Sequence, residues 1–147
     1  MKKILITRRL LRSCEEKASK IFNTKLNIND ELYSQKKLLE LSQGCDGILT
    51  SITDKIDRET INKLPDTIKI ISNFAVGFGN IDIKVAKKRN IAVTNTPDVL
   101  TDATAEIGVL LILGACRRAA EGIQDAKESK WKWSADYLIG KQLTGSR

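Results

Sequence analysis

The chain has 147 residues, a formal net charge of +7, 41% hydrophobic residues and 29% charged residues. This length suits one domain, or one domain and part of another, that buries roughly two-thirds of its unfolded surface. The composition is that of a folded, soluble protein, and the sequence contains no Pro-rich, Ser-rich or repeated tract that would indicate a linker or a solenoid.

Cysteine spacing and hydropathy bear on the cellular compartment. Cys14, Cys45 and Cys116 are far apart and lack C-x-x-C spacing, so neither a disulfide framework nor a metal site is indicated. We therefore expect reduced thiols in the cytoplasm. The apolar run before Thr7 is too short for a signal peptide, and the run 107–116 is too short to cross a bilayer, so we expect no membrane segment.

The placement of the basic residues decides what the positive charge means. They are scattered, and their one run, 87–89, stands at the end of a predicted helix, where cations interact favourably with the helix dipole. No aromatic residues are interleaved with them to stack on bases. We expect a solvated surface and no nucleic-acid partner, although a positive field can help to gather small anions.

Strand and helix signals alternate along the first 99 residues. The predicted strands are 4–6, 25–28, 47–50, 68–74 and 91–94, and the predicted helices are 13–22, 34–43, 57–64 and 81–89. Five strands with intervening helices predict an α/β fold, namely a flavodoxin-like doubly wound sheet of five parallel strands.

Several residues mark the predicted helix ends. Ser13 and Glu16 have the spacing of a capping box, Asp57 is a candidate N-cap, and Gly44 ends the second helix. The core stripe of the second helix comprises Leu38, Leu39 and Leu41.

A longer helix follows the fifth strand. We predict that Thr101 or Asp102 caps it and that it runs to about Ala120, a length of about 30 Å. Its middle, 107–113, is apolar almost all round and must be covered on several sides. We therefore expect a first domain, 1–99, and a second region, 100–147, that is covered by further sequence or by a partner.

The loops 50–53, 75–80 and 95–98 follow three of the predicted strands. Ligands of doubly wound sheets bind at the carboxyl ends of the strands, so these loops are the candidate site. Gly77 and Gly79 resemble the opening of a G-x-G-x-x-G motif, but Asp82 holds its third position and would repel a pyrophosphate. This loop is therefore not expected to bind a nucleotide.

A small carboxylate is a better ligand for the middle loop. The backbone N–H groups of a Gly-containing turn can bind carboxylate oxygens, and Val76 and Gly77 are the candidates. The alternative is a structural turn in which glycine serves only to permit a positive φ.

Two segments carry a family resemblance. Asn73-Phe-Ala-Val-Gly-Phe-Gly-Asn-Ile-Asp82 and Asn95-Thr-Pro-Asp-Val-Leu-Thr-Asp-Ala-Thr-Ala-Glu106 resemble D-isomer-specific 2-hydroxyacid dehydrogenases, nearest the glyoxylate and hydroxypyruvate reductase branch. The resemblance covers nearly the whole chain and implies an N-terminal fragment, since family members are longer. It also implies a substrate-binding domain over 1–99, followed by the start of a truncated Rossmann domain that binds NAD or NADP.

The resemblance assigns roles to the first domain. It implies that the amides of Val76 and Gly77 hold the carboxylate of a 2-oxo acid and that the loop of Ser51, Ile52 and Thr53 lines the pocket. No catalytic residue is assigned, because the family's active Arg, Glu and His are expected beyond Arg147.

Roles in the second region are implied in the same way. Thr104, with Leu100 as a weaker companion, is expected to approach the cofactor, although the Thr104 hydroxyl could instead bond back to its own helix. Trp131, Trp133 and Tyr137 are expected in an arm that embraces the second subunit of a homodimer.

The implied reaction transfers a hydride between nicotinamide and C2 of a small 2-oxo or 2-hydroxy acid, glyoxylate or hydroxypyruvate. The chain contains no His, so we expect the fragment alone to be inactive. The alternative is a non-enzymatic binding module of the same fold, similar to a transcriptional corepressor. A phospho-receiver would need acids at strand ends that instead carry Thr7, Arg8, Thr50 and Ser51.

Overall fold

The computed structural model describes residues 1–146, and Arg147, the last residue of the predicted second region, lies outside them. The chain divides into two compact units, Met1–Val99 and Leu100–Arg147. Each unit has its own secondary structure.

The first unit is built on a sheet of five parallel strands. In chain order these are β1 (Lys3–Ile6), β2 (Asn23–Lys25), β3 (Gly47–Ser51), β4 (Ile70–Phe74) and β5 (Ala92–Thr94). Their order across the sheet is β2-β1-β3-β4-β5, which is the order of flavodoxin-like folds. The predicted α/β fold with a parallel five-stranded sheet is confirmed.

Four helices connect the strands: α1 (Arg12–Ile21), α2 (Gln35–Leu41), α3 (Arg58–Lys63) and α4 (Ile83–Lys88). The chain moves from β1 to β2 in one direction and afterwards in the other, so right-handed crossovers place α1 on one face and the other three helices on the opposite face. The core between β1, β3, β4 and these three helices includes Leu5, Leu38, Ile48, Ile61, Ile71 and Val85.

Most of the predicted helix signals in this unit are confirmed. The Asp57 carboxylate caps α3 as predicted, by accepting a hydrogen bond of 2.9 Å from the Thr60 amide. The Ser34 side chain caps α2, although no such role was predicted for it. Gly44 follows α2 with a φ of 70°, a conformation that favours glycine. In the predicted core stripe, Leu38 is buried, and Leu39 and Leu41 pack against the core.

The prediction for the second strand is wrong. β2 ends at Lys25 instead of running over 25–28, because a turn follows in which the Asp30 amide donates to the Asn27 carbonyl at 3.2 Å. Asn27 is buried there, and its side-chain amide donates hydrogen bonds of 2.7 Å to the backbone carbonyls of Thr7 and Glu31. This contact between separate segments ends the strand.

The capping box predicted at Ser13 and Glu16 does not form. α1 begins at Arg12, after Leu11, and no side chain caps it. Glu15 instead reaches back and accepts a hydrogen bond of 2.9 Å from the Leu10 amide.

Smaller differences at other element ends also have local causes. β4 begins at Ile70 and not at 68, because the Ile68 amide closes a turn on the Pro65 carbonyl. α4 begins at Ile83 and not at 81, because Ile81 forms a parallel bridge with Ile56. β3 extends to Ser51, β5 begins at Ala92, and α2, α3 and α4 end at Leu41, Lys63 and Lys88.

The second unit contains α5 (Thr101–Cys116) and α6 (Ala119–Lys127). The predicted helix to Ala120 is wrong, since Arg118 adopts a left-handed conformation and breaks it. Leu100 precedes α5 without a side-chain cap, so neither Thr101 nor Asp102 caps the helix. The 16 residues of α5 span about 24 Å.

The apolar middle of α5 is exposed. Its side chains Ile107, Val109, Leu110, Leu111, Ile112 and Leu113 are between 46% and 66% exposed. In the arm that follows α6, Trp131 and Trp133 are exposed as well, whereas the Tyr137 hydroxyl donates a hydrogen bond of 2.8 Å to Asp125. Within residues 1–146, no helix combines the length and hydropathy that spanning a membrane requires.

Candidate functional site

The three predicted loops meet at the carboxyl edge of the sheet. The Asn80 side-chain amide donates to the Ser51 carbonyl at 3.0 Å, which joins the loop after β3 to the loop after β4. The Asn95 side-chain amide donates to the Val76 carbonyl at 2.7 Å, which joins the loop after β4 to the segment after β5. The structure therefore brings the candidate loops into contact.

The turn at Val76 and Gly77 has free hydrogen-bond donors. Both residues are exposed, and no group within residues 1–146 accepts a hydrogen bond from either amide. The neighbouring amides of Ala75 and Ile81, in contrast, donate to the carbonyls of Asn73 and Phe78. The amides of Phe78, Gly79 and Asn80 likewise have no acceptor within residues 1–146. The adjacent N–H groups of Val76 and Gly77 are thus available to an anion.

The glycines of this turn are not explained by backbone conformation. Neither Gly77 nor Gly79 has a positive φ, so the alternative that glycine serves only to permit a positive φ is wrong here. A Cβ added at either position would meet no heavy atom within 4 Å in the described part of the chain. The space next to the turn is open.

A buried carboxylate organises the loop after β3. Asp54 is 2% exposed, and its Oδ2 accepts hydrogen bonds from the hydroxyls of Thr7 at 2.6 Å and Thr50 at 2.8 Å and from the Ser51 amide at 2.9 Å. The Ser51 hydroxyl lies 2.8 Å from that of Thr53, and the Ile52 side chain is 54% exposed. The loop is therefore tied to the end of β3 by hydrogen bonds and presents an exposed apolar side chain.

An ion pair flanks the same loop. Arg8 binds both carboxylate oxygens of Asp30, at 2.8 and 2.9 Å, and donates to the Thr53 hydroxyl at 2.6 Å. The hydrogen bond from Arg8, reinforced by the Arg9 amide, lowers the pKa of Asp30 to about 2. The same pairing raises the pKa of Arg8. Its positive charge is therefore largely balanced by Asp30 before any ligand binds.

The N-terminus of α4 already holds a carboxylate. The Asp82 side chain accepts a hydrogen bond of 3.0 Å from the Val85 amide. This anionic cap disfavours a second anion at the N-terminus of α4.

The cofactor candidates lie in the first turn of the second unit. Leu100 is 50% exposed and precedes α5, and the Thr104 hydroxyl donates to the Leu100 carbonyl at 2.8 Å. Of the two alternatives for this hydroxyl, the structure shows the bond to its own helix.

Sequence reasoning missed the polar residues that join the loops. Asn73 is 1% exposed, and its amide donates to the Gly77 carbonyl at 2.8 Å and to Asn80 Oδ1 at 3.0 Å. Asp54 was also missed. The available signal was the frequency of Asn, Asp and Thr directly after strands, which identifies the loops but not the pairs. Among the described residues, no group of three or more Cys, Asp or Glu side chains could hold a metal ion.

Comparison with known proteins gives one consistent result. Residues 4–134 match the family model for the D-isomer specific 2-hydroxyacid dehydrogenase catalytic domain. A glycerate dehydrogenase from Hyphomicrobium methylovorum is 35% identical over 143 residues, which are 97% of this chain and 44% of the relative. A glyoxylate reductase from Thermococcus litoralis is 39% identical over 148 residues, with the same coverage of 97% and 44%.

Solved structures agree with the sequence comparisons. A Polaromonas protein, named as an NAD-binding D-isomer specific 2-hydroxyacid dehydrogenase, matches with a TM-score of 0.87 and 33% identity. The match covers 99% of this chain and 46% of that one. This chain therefore spans less than half the length of the relatives it matches.

Proposed function

Because the chain belongs to the D-isomer specific 2-hydroxyacid dehydrogenase family, we propose that it is the N-terminal part of an NAD(P)-dependent oxidoreductase. The proposed reaction moves a hydride between nicotinamide and C2 of a small 2-oxo or 2-hydroxy acid. Glyoxylate and hydroxypyruvate are the proposed substrates, since relatives include glyoxylate reductases and a glycerate dehydrogenase.

The observation that carries the proposal is the pair of unpartnered amides at Val76 and Gly77. A carboxylate accepts hydrogen bonds at both oxygens, and bonds to a charged acceptor are about twice as strong as neutral ones. Two adjacent N–H groups beside open space suit a carboxylate. We therefore assign the substrate carboxylate to this turn.

The loop after β3 would contact the remainder of the substrate. Ser51 is fixed through its amide by Asp54, and Ile52 offers an exposed apolar side chain. We propose that these two residues line the pocket. A small acid with one carboxylate fits such a lining. It has no second negative charge, so the pocket needs no additional cation.

The second unit would contribute to cofactor binding. We propose that Thr104 and Leu100 approach NAD or NADP and that 100–147 begins the nucleotide-binding domain. The Thr104 hydroxyl donates its hydrogen to the Leu100 carbonyl, but its oxygen can still accept a hydrogen bond. When bound, the cofactor supplies or takes up the hydride.

The residues of this chain would bind and orient the substrate. Hydride addition builds negative charge on the C2 oxygen, so the reaction also needs a cation and a proton donor. The sequence contains no His, and we expect the catalytic residues in sequence beyond Arg147.

Two further properties belong to the same proposal. The exposed Trp131 and Trp133 would pack against a second subunit in a homodimer. Cys14, Cys45 and Cys116 are free, which suits the reducing cytoplasm.

A glycine substitution tests the proposed site. Gly77→Ala should leave the thermal unfolding temperature nearly unchanged, because the new Cβ meets no atom within 4 Å. It should weaken binding of oxamate, an unreactive 2-oxo acid analogue, by about tenfold or more, because the methyl group occupies the space in which the carboxylate would sit. The affinity is measured by isothermal titration calorimetry.

Gly79→Ala is the matched control, since Gly79 lies in the same loop and its surroundings are equally open. We expect its oxamate affinity to stay within about threefold of the wild type. Equal affinities for Gly77→Ala and the wild type would contradict the proposal.

A further inference from the structure

Neighbouring donors hold two successive carbonyl groups of the candidate turn. The Ala75 carbonyl accepts a hydrogen bond of 3.0 Å from the Thr96 amide. The Val76 carbonyl accepts one of 2.7 Å from the Asn95 side chain. In an extended strand, successive carbonyls point in opposite directions, whereas these two both reach the segment 95–96.

Because the peptide group is planar, the two hydrogen bonds to the Ala75 and Val76 carbonyls also fix the direction of the following N–H groups. The Ala75 carbonyl shares a peptide plane with the Val76 N–H, and the Val76 carbonyl shares one with the Gly77 N–H. In a trans peptide the N–H points away from the carbonyl. Holding both carbonyls at the segment 95–96 therefore aims both N–H groups away from that segment, on a common side.

Successive N–H groups on a common side form the arrangement in which backbone binds an anion. Their availability agrees with this geometry, because no acceptor for either amide lies within residues 1–146. A third donor also holds the turn, since the side-chain amide of the buried Asn73 donates to the Gly77 carbonyl at 2.8 Å.

We propose that Asn95 is a positioning residue that aims the Gly77 amide at the substrate carboxylate by holding the Val76 carbonyl. This inference rests on the proposed function, since it presupposes that the turn binds a carboxylate. Asn95 itself does not touch the substrate in this arrangement. It acts on the ligand indirectly, by fixing the orientation of the peptide group between Val76 and Gly77.

Asparagine suits this role better than aspartate or alanine. Its side-chain amide supplies the N–H donor that a carbonyl accepts, and it adds no charge beside the anion site. Aspartate at the same position would place an acceptor against the Val76 carbonyl, and alanine would leave that carbonyl free to rotate.

The experiment compares the 147-residue wild type, Asn95→Ala, Asn95→Asp and the control Asn62→Ala. Asn62 is an exposed residue of α3 whose side chain makes no hydrogen bond within the described range. Oxamate affinity is measured by NMR titration, and the orientation of the Gly77 N–H is measured by its residual dipolar coupling. This coupling reports a direction, so a loss of general stability alone would not change it.

We expect Asn95→Ala to weaken oxamate binding by about tenfold and to change the Gly77 coupling, while couplings in β3 and β4 stay constant. Asn95→Asp should weaken binding further, and Asn62→Ala should match the wild type. If the wild type binds oxamate and Asn95→Ala binds within about twofold with an unchanged Gly77 coupling, the inference is overturned and the proposed function stands. If the wild type does not bind oxamate, the proposed function fails and the inference fails with it.

Discussion

At the level of single residues, the candidate site combines charged groups that are already paired with amides that are not. Arg8 is bound by both oxygens of Asp30, and Asp54 accepts three short hydrogen bonds from Thr7, Thr50 and Ser51. The amides of Val76 and Gly77 are among the backbone donors of this edge that have no protein acceptor in the described chain. An anion would therefore be held by backbone dipoles and not by a free cation.

The pairing of Arg8 and Asp30 predicts a specific pH dependence of stability. The pKa of Asp30 is about 2, below its ordinary value of 3.8. A carboxylate with a lowered folded-state pKa stabilises the fold above its unfolded pKa and loses this contribution as the pH falls through the folded pKa. We expect the wild type to unfold at a higher temperature than Asp30→Asn at pH 7, with the gap closing between about pH 4 and pH 2.

Thermal unfolding followed by circular dichroism between pH 2 and pH 7 checks this expectation. Asn tolerates the left-handed conformation of Asp30, which has a φ of 53°, so the substitution does not strain the backbone. Asp98→Asn is the control, since Asp98 is also exposed, has a φ of 62° and accepts no hydrogen bond from residues 1–146. A gap for Asp30→Asn that stays constant with pH would rule out the ion pair as its source.

At the level of elements, Arg89 ties α4 to the end of α3. Its guanidinium donates to the carbonyls of Ile61 and Leu64, the latter at 2.8 Å, and to the Asp66 carboxylate at 2.5 Å. The last carbonyls of a helix lack partners within it, so this cation caps the C-terminus of α3. The one run of basic residues in the sequence thus contains a structural arginine.

Arg89→Lys should therefore destabilise the fold although it keeps the charge. A lysine cannot reproduce the planar fork that binds several acceptors at once, and we expect a loss of about 1–2 kcal/mol in the free energy of unfolding. Urea denaturation measures this loss. Lys88→Arg, at the exposed neighbouring position, should change stability by less than about 0.5 kcal/mol. Equal stabilities of Arg89→Lys and the wild type would refute the capping role.

Sequence reasoning predicted those elements whose signals are local. β1, β3 and β4 contain apolar runs, and Asp57 caps α3 through the amide of Thr60, only three positions away. The end of β2 was missed because it depends on Asn27 contacting Thr7, across 20 positions. The start of α1 was missed because no side chain caps it.

In the candidate site, too, the features with local signals were predicted and those that depend on distant residues were not. Val76 and Gly77 were identified from a glycine-containing turn and a family resemblance. Both signals lie within a short segment of the sequence. The support from Asn95 and Asn80 was not identified, because their hydrogen bonds cross 19 and 29 positions. Nothing in a single sequence pairs such residues, so the loops were predicted and the connections between them were not.

At the level of the whole molecule, the first unit has a buried core, whereas the long helix of the second unit is exposed. The core of the first unit is buried beneath three helices, whereas no residue of α5 is buried among those described. A helix that exposes six apolar side chains is typical of a protein-contact surface. The chain also spans 44% of the relatives that it matches by sequence.

This organisation predicts binding without turnover. The 147-residue chain lacks His, which is the usual proton donor for the carbonyl oxygen, so we expect no oxidation of NADH or NADPH with glyoxylate. Loss of nicotinamide absorbance is the measurement, and a purified full-length glyoxylate reductase serves as the positive control. Reproducible turnover by the chain itself would show that it carries a complete catalytic apparatus.

The central claim is that the amides after β4 bind the carboxylate of a small 2-oxo acid. A crystal structure of the chain with oxamate tests it most directly. We predict that the oxamate carboxylate lies within about 3.2 Å of the backbone nitrogens of Val76 and Gly77, with the Asn95 side chain still on the Val76 carbonyl. Oxamate bound elsewhere, or a turn whose amides are covered by neighbouring side chains, would contradict the claim.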